Sequence, residues 1–139
     1  MHAREQQFRR MVFNVVGRNQ DDHVKNIAFL MDKTGAWSLS PAFDVTYAYN
    51  PTGLWTSRHQ MTINGKSDDF SRKDFKAVAQ VAGLKHGRSE TILIEVMDTV
   101  KEWPRYAETA GVLGSQRDQI TETLRLKFDR HGILGTYAK

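Results

Sequence analysis

The chain of 139 residues has no cysteine, and this absence excludes two kinds of structure. Without thiols there is neither a disulfide framework nor a thiolate metal site, which fits a reducing cytoplasm. No apolar run approaches the ~20 residues of a transmembrane helix, and the first residues lack the apolar core of a signal peptide. We therefore expect a cytoplasmic protein that makes no contact with a membrane.

The chain also lacks the pattern of a dedicated nucleic-acid-binding protein. Its formal net charge is +4, but no run of Lys and Arg is interleaved with stacking aromatics, so a solvated basic surface is the better interpretation. Hydrophobic residues make up 40% of the chain and charged residues 26%, which is ordinary for a globular protein. The length suits one domain that buries roughly 68–70% of its unfolded surface.

The region from Asn19 to Asp44 concentrates the side chains that bind metal ions. Asn26 stands before an apolar run at residues 27–31, a turn follows at residues 32–35, and residues 36–40 form a returning strand. In an antiparallel hairpin the start of the first strand lies opposite the end of the second. Asn26 and the segment around Asp44 should therefore meet, and Asp21 adds a third oxygen-bearing side chain.

The types of these oxygens suggest a chemistry. One carboxylate and one amide oxygen with open positions suit Mg²⁺, which keeps several waters and takes phosphate as a further partner. Asp21 is then free to accept the proton of an attacking hydroxyl beside a metal-bound nucleotide. In the phosphoryl-transfer template a catalytic-loop Asp, an Asn and a second Asp divide these roles, and the spacing of Asp21 and Asn26 matches it.

Two motifs resemble those of HipA-type serine/threonine kinase toxins. Residues 19–26, Asn-Gln-Asp-Asp-His-Val-Lys-Asn, resemble the catalytic loop, and residues 39–45, Leu-Ser-Pro-Ala-Phe-Asp-Val, resemble the metal-binding segment. The family pattern Asp-x-His-x-Lys-Asn falls on Asp21, His23, Lys25 and Asn26, and the pattern Pro-x-(Tyr/Phe)-Asp falls on Pro41, Phe43 and Asp44.

The resemblance implies ATP and Mg²⁺ as cofactors, with Asp21 as the catalytic base and Asn26 and Asp44 as the cofactor-binding metal ligands. His23 and Lys25 either point towards phosphate oxygens as catalytic residues or pack structurally against the loop. The resemblance also implies one HipA-like C-terminal, kinase-type helical lobe over residues 1–139. The nucleotide-covering loop, the phosphate-binding lysine strand, the hinge and the regulatory serine loop of a full-length family member are expected before Met1.

Two functional classes follow from the resemblance. The first is an ATP- and Mg²⁺-dependent serine/threonine kinase of a toxin–antitoxin system, which is inactive without an N-terminal lobe from a partner chain or a longer form of the chain. Its substrate would be a protein such as an aminoacyl-tRNA synthetase. The second is a non-enzymatic remnant that binds an antitoxin-like DNA-binding protein. Aromatic-rich stretches at residues 47–55 and 103–106 would be exposed without the missing lobe, which predicts a homodimer.

We predict a mainly α fold with about four helices, and one short hairpin as its only well-formed sheet. An apolar stripe predicts a first helix over residues 4–16, which Gly17 ends. Ser71 and Asp74 have the spacing of a capping box and predict the start of a second helix, which Gly83 ends. Residues 45–60 have no period and are interpreted as a packed loop.

The remaining segments are predicted from shorter signals. Residues 61–63 precede Asn64-Gly65, a turn dipeptide, and form a short strand or an extended piece. Ser89 begins the longest helix, which either ends near Trp103 or is kinked by Pro104 and continues to about residue 109. A last helix is predicted from a Ser115 cap to residue 132, followed by a frayed tail at residues 133–139.

Overall fold

A computed structural model of the chain describes residues 3–128. The predicted mainly helical fold with one two-stranded antiparallel hairpin is confirmed. In chain order the elements are α1 (Ala3–Val16), a 3₁₀ turn (Val24–Asn26), β1 (Phe29–Met31), β2 (Trp37–Leu39), α2 (Arg72–Val81), α3 (Arg88–Lys101), α4 (Trp103–Thr109) and α5 (Gly114–Thr123). None of the helices within this part of the chain is both long and apolar enough to cross a membrane.

The core lies between α1 and α3, and α2 also packs against α3 and contributes to the same core. Helix α1 buries Phe8, Val12, Val15 and Val16, whose spacing of i, i+4, i+7 and i+8 forms a single helical face. Helix α3 buries a similar stripe of aliphatic residues against it: Ile92, Leu93, Val96 and Val100. This packing fixes the C-terminal end of α1. The polar segment at residues 18–26, which contains the first motif and which we call the site loop, starts shortly after that end.

The start of α2 is a capping box, as the spacing of Ser71 and Asp74 predicts. Burial by itself raises the pKa of the Asp74 carboxyl, but hydrogen bonds from Asn64, Lys66 and Ser71 outweigh it and hold the pKa well below its usual range. Asn64 and Gly65 both have positive φ, 52° and 79°, as a tight hairpin turn requires. In residues 61–63 only Ile63 is paired, in an isolated bridge with Lys66, so this segment is an extended piece rather than a strand.

Five helices are present in residues 3–128 instead of about four, because the predicted longest helix is two helices. Helix α3 begins at Arg88, one residue before Ser89, and ends at Lys101. Pro104 lies in the first turn of α4, where the missing N–H of proline costs no helical hydrogen bond. The indole N–H of Trp103 donates to the Arg117 carbonyl at 3.2 Å and so attaches α4 to α5.

Two predictions, one on the last helix and one on the irregular loop at residues 45–60, are wrong in part. The last helix begins at Gly114 without a side-chain cap from Ser115, and it ends at Thr123, because Leu124 adopts an extended backbone and the Arg125 N–H donates to the Val16 carbonyl. Its predicted end at residue 132 and the tail 133–139 lie outside the described residues. The loop at residues 45–60 exposes its tip at Leu54 and Trp55 instead of packing it.

Candidate functional site

The hairpin brings the two motifs together. Phe29 pairs with Leu39 and Met31 with Trp37, and the Ser40 N–H donates to the Ala28 carbonyl at 2.9 Å, which extends the pairing towards Asn26. Asn26 and Asp44, which lie just beyond the two ends of the hairpin, line one cavity of about 420 Å³. Its other walls include α1, residues 61–63 and the C-terminal end of α2 at Val78 and Ala82.

The amide of Asn26 is oriented by the loop itself. Its Nδ2 donates to the main-chain carbonyl of Asp21 at 3.2 Å, so its Oδ1 is left for another partner. Asp44 has a φ of 51°, in the left-handed region that Asp and Asn enter more readily than most side chains. An amide oxygen and a carboxylate on one cavity are a donor set that suits Mg²⁺ together with phosphate and water.

The other predicted site residues lie beside this cavity. Asp21 has a half-exposed side chain, and its Oδ1 is 3.9 Å from His23 Nε2. His23 lines the cavity, whereas Asp21 and Lys25 are not among the lining residues, and Lys25 is exposed. The roles assigned to these five residues therefore stay predictions, although the loop does hold Asp21 and Asn26 in contact.

The loop that carries them is polar and nevertheless buried. Asn19 and Gln20 are almost completely inaccessible, which would be costly without hydrogen bonds. Asn19 Nδ2 donates to Asn14 Oδ1 at 3.1 Å, and Gln20 Nε2 donates to the Thr56 carbonyl at 3.2 Å. Arg18 donates to Gln20 Oε1 at 3.0 Å. The loop is thus held by the end of α1 and by residues 45–60.

Sequence reasoning missed a second buried group in this region. The Asp22 carboxylate accepts hydrogen bonds from the N–H groups of Gln60 and Met61, at 2.8 and 3.3 Å. Its Oδ2 is 2.8 Å from His59 Nδ1, and His59 Nε2 is 3.1 Å from an Arg125 nitrogen. The only sequence signal was the Asp-Asp pair itself, since His59 is 37 positions further along the chain.

Polar atoms without a partner are concentrated at the same cavity. In the part of the chain that the structure describes, buried side-chain atoms without a hydrogen-bond partner belong to Gln7, Arg9, Arg10, Asn19 and His23. All of these residues except Arg9 line the cavity. Because buried polar groups are normally hydrogen-bonded, this concentration indicates a place for a polar ligand or ordered water.

No group of three or more His, Asp or Glu side chains within residues 3–128 could hold a metal ion without further ligands. A site built from Asn26 and Asp44 would therefore depend on oxygens from outside the chain. Phosphate and water supply such oxygens for Mg²⁺, which rarely has an all-protein cage. The donor set thus fits a metal that arrives with a nucleotide better than a resident structural ion.

Comparison with known proteins agrees with the two motifs. A family model described as HipA-like C-terminal domain matches residues 1–103, which include both motifs and the helices α1, α2 and α3. No curated protein matches the chain. The match covers 103 of the 139 residues. The chain therefore belongs to the family of HipA-like C-terminal domains.

Proposed function

We propose that the chain is the catalytic lobe of a HipA-like toxin kinase, which transfers the γ-phosphoryl group of ATP to a hydroxyl of a protein. Family membership supports a kinase and toxin–antitoxin context in general. The main support for the proposal is the shared cavity, which Asn26 before β1 and Asp44 after β2 both line at the open end of the hairpin. The contact between Asn26 and Asp21 adds a carboxylate next to it.

In this proposal Asn26 Oδ1 and the Asp44 carboxylate hold Mg²⁺, and the ion would neutralise charge on the phosphates when bound. Asp21 acts as the base for the acceptor hydroxyl. Its half-exposed side chain suits that role, because a hydroxyl on another protein must be able to reach it. Lys25 is exposed and can turn towards phosphate oxygens, while His23 lines the cavity and faces Asp21.

Residues 1–139 form a single lobe in this proposal, and a second lobe supplies the rest of the nucleotide site. Phosphoryl transfer requires a covering loop and a lysine on the phosphates, and the sequence contains no Gly-x-Gly-x-x-Gly loop. A nucleotide held from one side keeps its adenine in water. We therefore expect weak, Mg²⁺-dependent ATP binding by the chain alone, with a Kd around 1 mM or about −4 kcal/mol.

The exposed hairpin favours a second candidate function, that of an interaction module. Phe29, Leu30 and Met31 of β1 and Trp37 of β2 are all exposed, so both strands present large apolar side chains. Such a surface suits a protein partner. That partner would be the second lobe, an antitoxin-like DNA-binding protein or a second copy of the chain.

For the first candidate function, the kinase, an aminoacyl-tRNA synthetase is the proposed class of protein substrate.

Phosphoryl transfer by a longer form of the protein, which carries a nucleotide-covering lobe, tests the proposal. Asp21→Asn should lower the rate by about 10²–10⁴-fold, because the general base is lost, while Mn²⁺–ATP binding is retained. Asp98→Asn, which changes an exposed aspartate on α3, is the matched control and should transfer like the unchanged protein. Equal transfer by the Asp21→Asn variant would refute the assignment of the base.

A further inference from the structure

Residues 123–125, which we call the terminal strap, start at the last residue of α5 and cross the point where α1 ends and the site loop begins. Arg18 Nε donates to the Thr123 carbonyl at 2.7 Å. The hydroxyls of Tyr47 and Thr123 are 2.9 Å apart, and the Arg125 N–H donates to the Val16 carbonyl at 3.0 Å. The strap lies beyond the residues that the family model matches, so family membership does not imply these contacts.

The Arg125 side chain continues from the strap into the buried group around His59. One of its nitrogens is 3.1 Å from His59 Nε2, and another contacts Asp68. Arginine can only donate hydrogen bonds, so His59 Nε2 must accept. The proton of a neutral His59 then resides on Nδ1, from which it is donated to Asp22 at 2.8 Å. Arg125, His59 and Asp22 thus form a hydrogen-bond network in which Arg125 donates to His59 and His59 donates to Asp22 of the site loop.

The inner part of this hydrogen-bond network is shielded from solvent, so its groups depend on one another for hydrogen bonds. The His59 side chain is fully buried and that of Asp22 is nearly so. Burial lowers the pKa of Arg125, and the nearby charge of Arg18 acts in the same direction. A buried polar network of this kind is stable only when every group is satisfied. Loss of the Arg125 donor therefore leaves His59 Nε2 without its partner and weakens the hold on Asp22.

We propose that Arg125 and His59 are positioning residues, which hold Asp22 and thereby fix the backbone on which Asp21 and Asn26 are placed. The inference rests on the proposed function, because Asp21 is there assigned as the base. Asp22 is adjacent to Asp21, and the Asp21 carbonyl accepts a hydrogen bond from the side-chain amide of Asn26. A shift of the Asp22 backbone consequently moves the base and a metal ligand together.

Arg125→Gln tests the positioning role, and Arg72→Gln is its matched control. Like Arg125, Arg72 joins a carboxylate, that of Glu90, to a second polar group, the Phe128 carbonyl near the end of the described residues. Neither partner belongs to the site loop. Each variant therefore removes one carboxylate contact and one further side-chain hydrogen bond, but only Arg125→Gln interrupts the hydrogen bonds that lead through His59 to Asp22.

Amide hydrogen exchange of the 139-residue chain gives a readout that does not need activity. In Arg125→Gln the amides of Asn26, Gln60 and Met61, which are all hydrogen-bonded, should exchange about tenfold faster or more. The core amides of α1 and α3 should keep their protection, and Arg72→Gln should leave the loop amides unchanged. Loop exchange equal to that of the unchanged chain, or faster exchange of all amides together, would overturn the positioning role.

Kinetics of the longer, two-lobe protein give the second readout. Arg125→Gln should lower kcat about 10- to 100-fold through misplacement of the base and should raise the KM for ATP, because Asn26 is displaced with Asp21. Arg72→Gln should leave both constants unchanged. If Asp21→Asn abolishes transfer but Arg125→Gln does not reduce it, the positioning role is wrong and the proposed function stands. If no form transfers phosphate, the proposed function fails, and hydrogen exchange still decides the positioning role.

Discussion

The site loop and the hairpin that follows it reverse the usual distribution of polar and apolar residues. In the loop, Gln20 is 0% exposed and Asp22 is 7% exposed. In the hairpin, Met31 is 59% exposed and Trp37 is 68% exposed. The two segments are adjacent in the sequence, so one short region buries its polar groups and presents its apolar groups to solvent.

This difference in burial distinguishes the loop, which is held by contacts within the lobe, from the hairpin, whose apolar side chains are available to a partner. Buried polar side chains are costly unless they are hydrogen-bonded, and those of the loop are bonded to α1 and to residues 56–61. An isolated two-stranded hairpin is marginally stable in water, and this one has no cover within residues 3–128. The lobe therefore prepares one side of the site, and the hairpin is free to receive another surface.

The largest expected effect on stability comes from substitution of a buried polar side chain of the loop. Asp22→Ala removes the acceptor of His59, Gln60 and Met61, so it should lower the free energy of unfolding by about 3–5 kcal/mol. Urea unfolding measures this change. Asp98→Ala, at an exposed position of α3, should stay within about 0.5 kcal/mol of the unchanged chain. An unaltered midpoint for Asp22→Ala would show that the loop is not held by its carboxylate.

A buried carboxylate outside the site sharpens the comparison. Asp74→Asn weakens hydrogen bonds from Asn64, Lys66 and Ser71, so it should cost about 1.5–3 kcal/mol at pH 7. The pKa of Asp74 is depressed in the folded state, so its contribution is complete above the unfolded value of 3.8 and decreases as the pH falls below it. Unfolding measured from pH 7 to 2 should therefore show the two curves converging in acid.

A constant difference between Asp74→Asn and the unchanged chain down to pH 2 would contradict this linkage. Nucleotide binding should be the same in both proteins, because Asp74 does not line the cavity. In this respect the two buried carboxylates differ, since substitution of Asp22 should affect both stability and the site.

The smallest effect on stability is expected at the exposed side of the comparison. Trp37→Ser and Leu30→Ser should change the free energy of unfolding by no more than about 0.5 kcal/mol, because both side chains are largely in solvent. They should nevertheless reduce binding of a hydrophobic dye and any self-association seen by sedimentation. A loss of stability above about 1 kcal/mol would show that the hairpin is packed rather than available.

Local signals account for the parts of the structure that the sequence predicts. The apolar stripe of α1, the capping box of α2 and the hairpin turn each involve residues a few positions apart, and each is present. In the turn, Asp32 Oδ1 accepts the N–H and hydroxyl of Thr34, and Gly35 has a φ of 85°. Such contacts depend only on residues that are close in the sequence, so they can be predicted without the rest of the chain.

Long-range packing decides the features that the sequence did not reveal. Ile120, Leu124 and Phe128 have helical spacing, yet α5 ends at Thr123 and Leu124 has an extended backbone, because the strap binds the end of α1. His59 and Arg125 are 66 positions apart, and no period or motif links them. Their contact exists only after α1, the loop and the strap are in place, so it lies beyond any local pattern.

The central claim is that Asn26 and Asp44 form one metal–nucleotide site, and paramagnetic broadening of amide signals tests it most directly. When Mn²⁺ and millimolar ATP are added to the 139-residue chain, the signals of Asn26 and Asp44 should broaden first, and the effect should disappear in the Asn26→Ala and Asp44→Ala variants. If the signals of Asn26 and Asp44 stay sharp while other signals broaden, the claim is contradicted. The claim is also contradicted if the broadening is the same in both variants as in the unchanged chain.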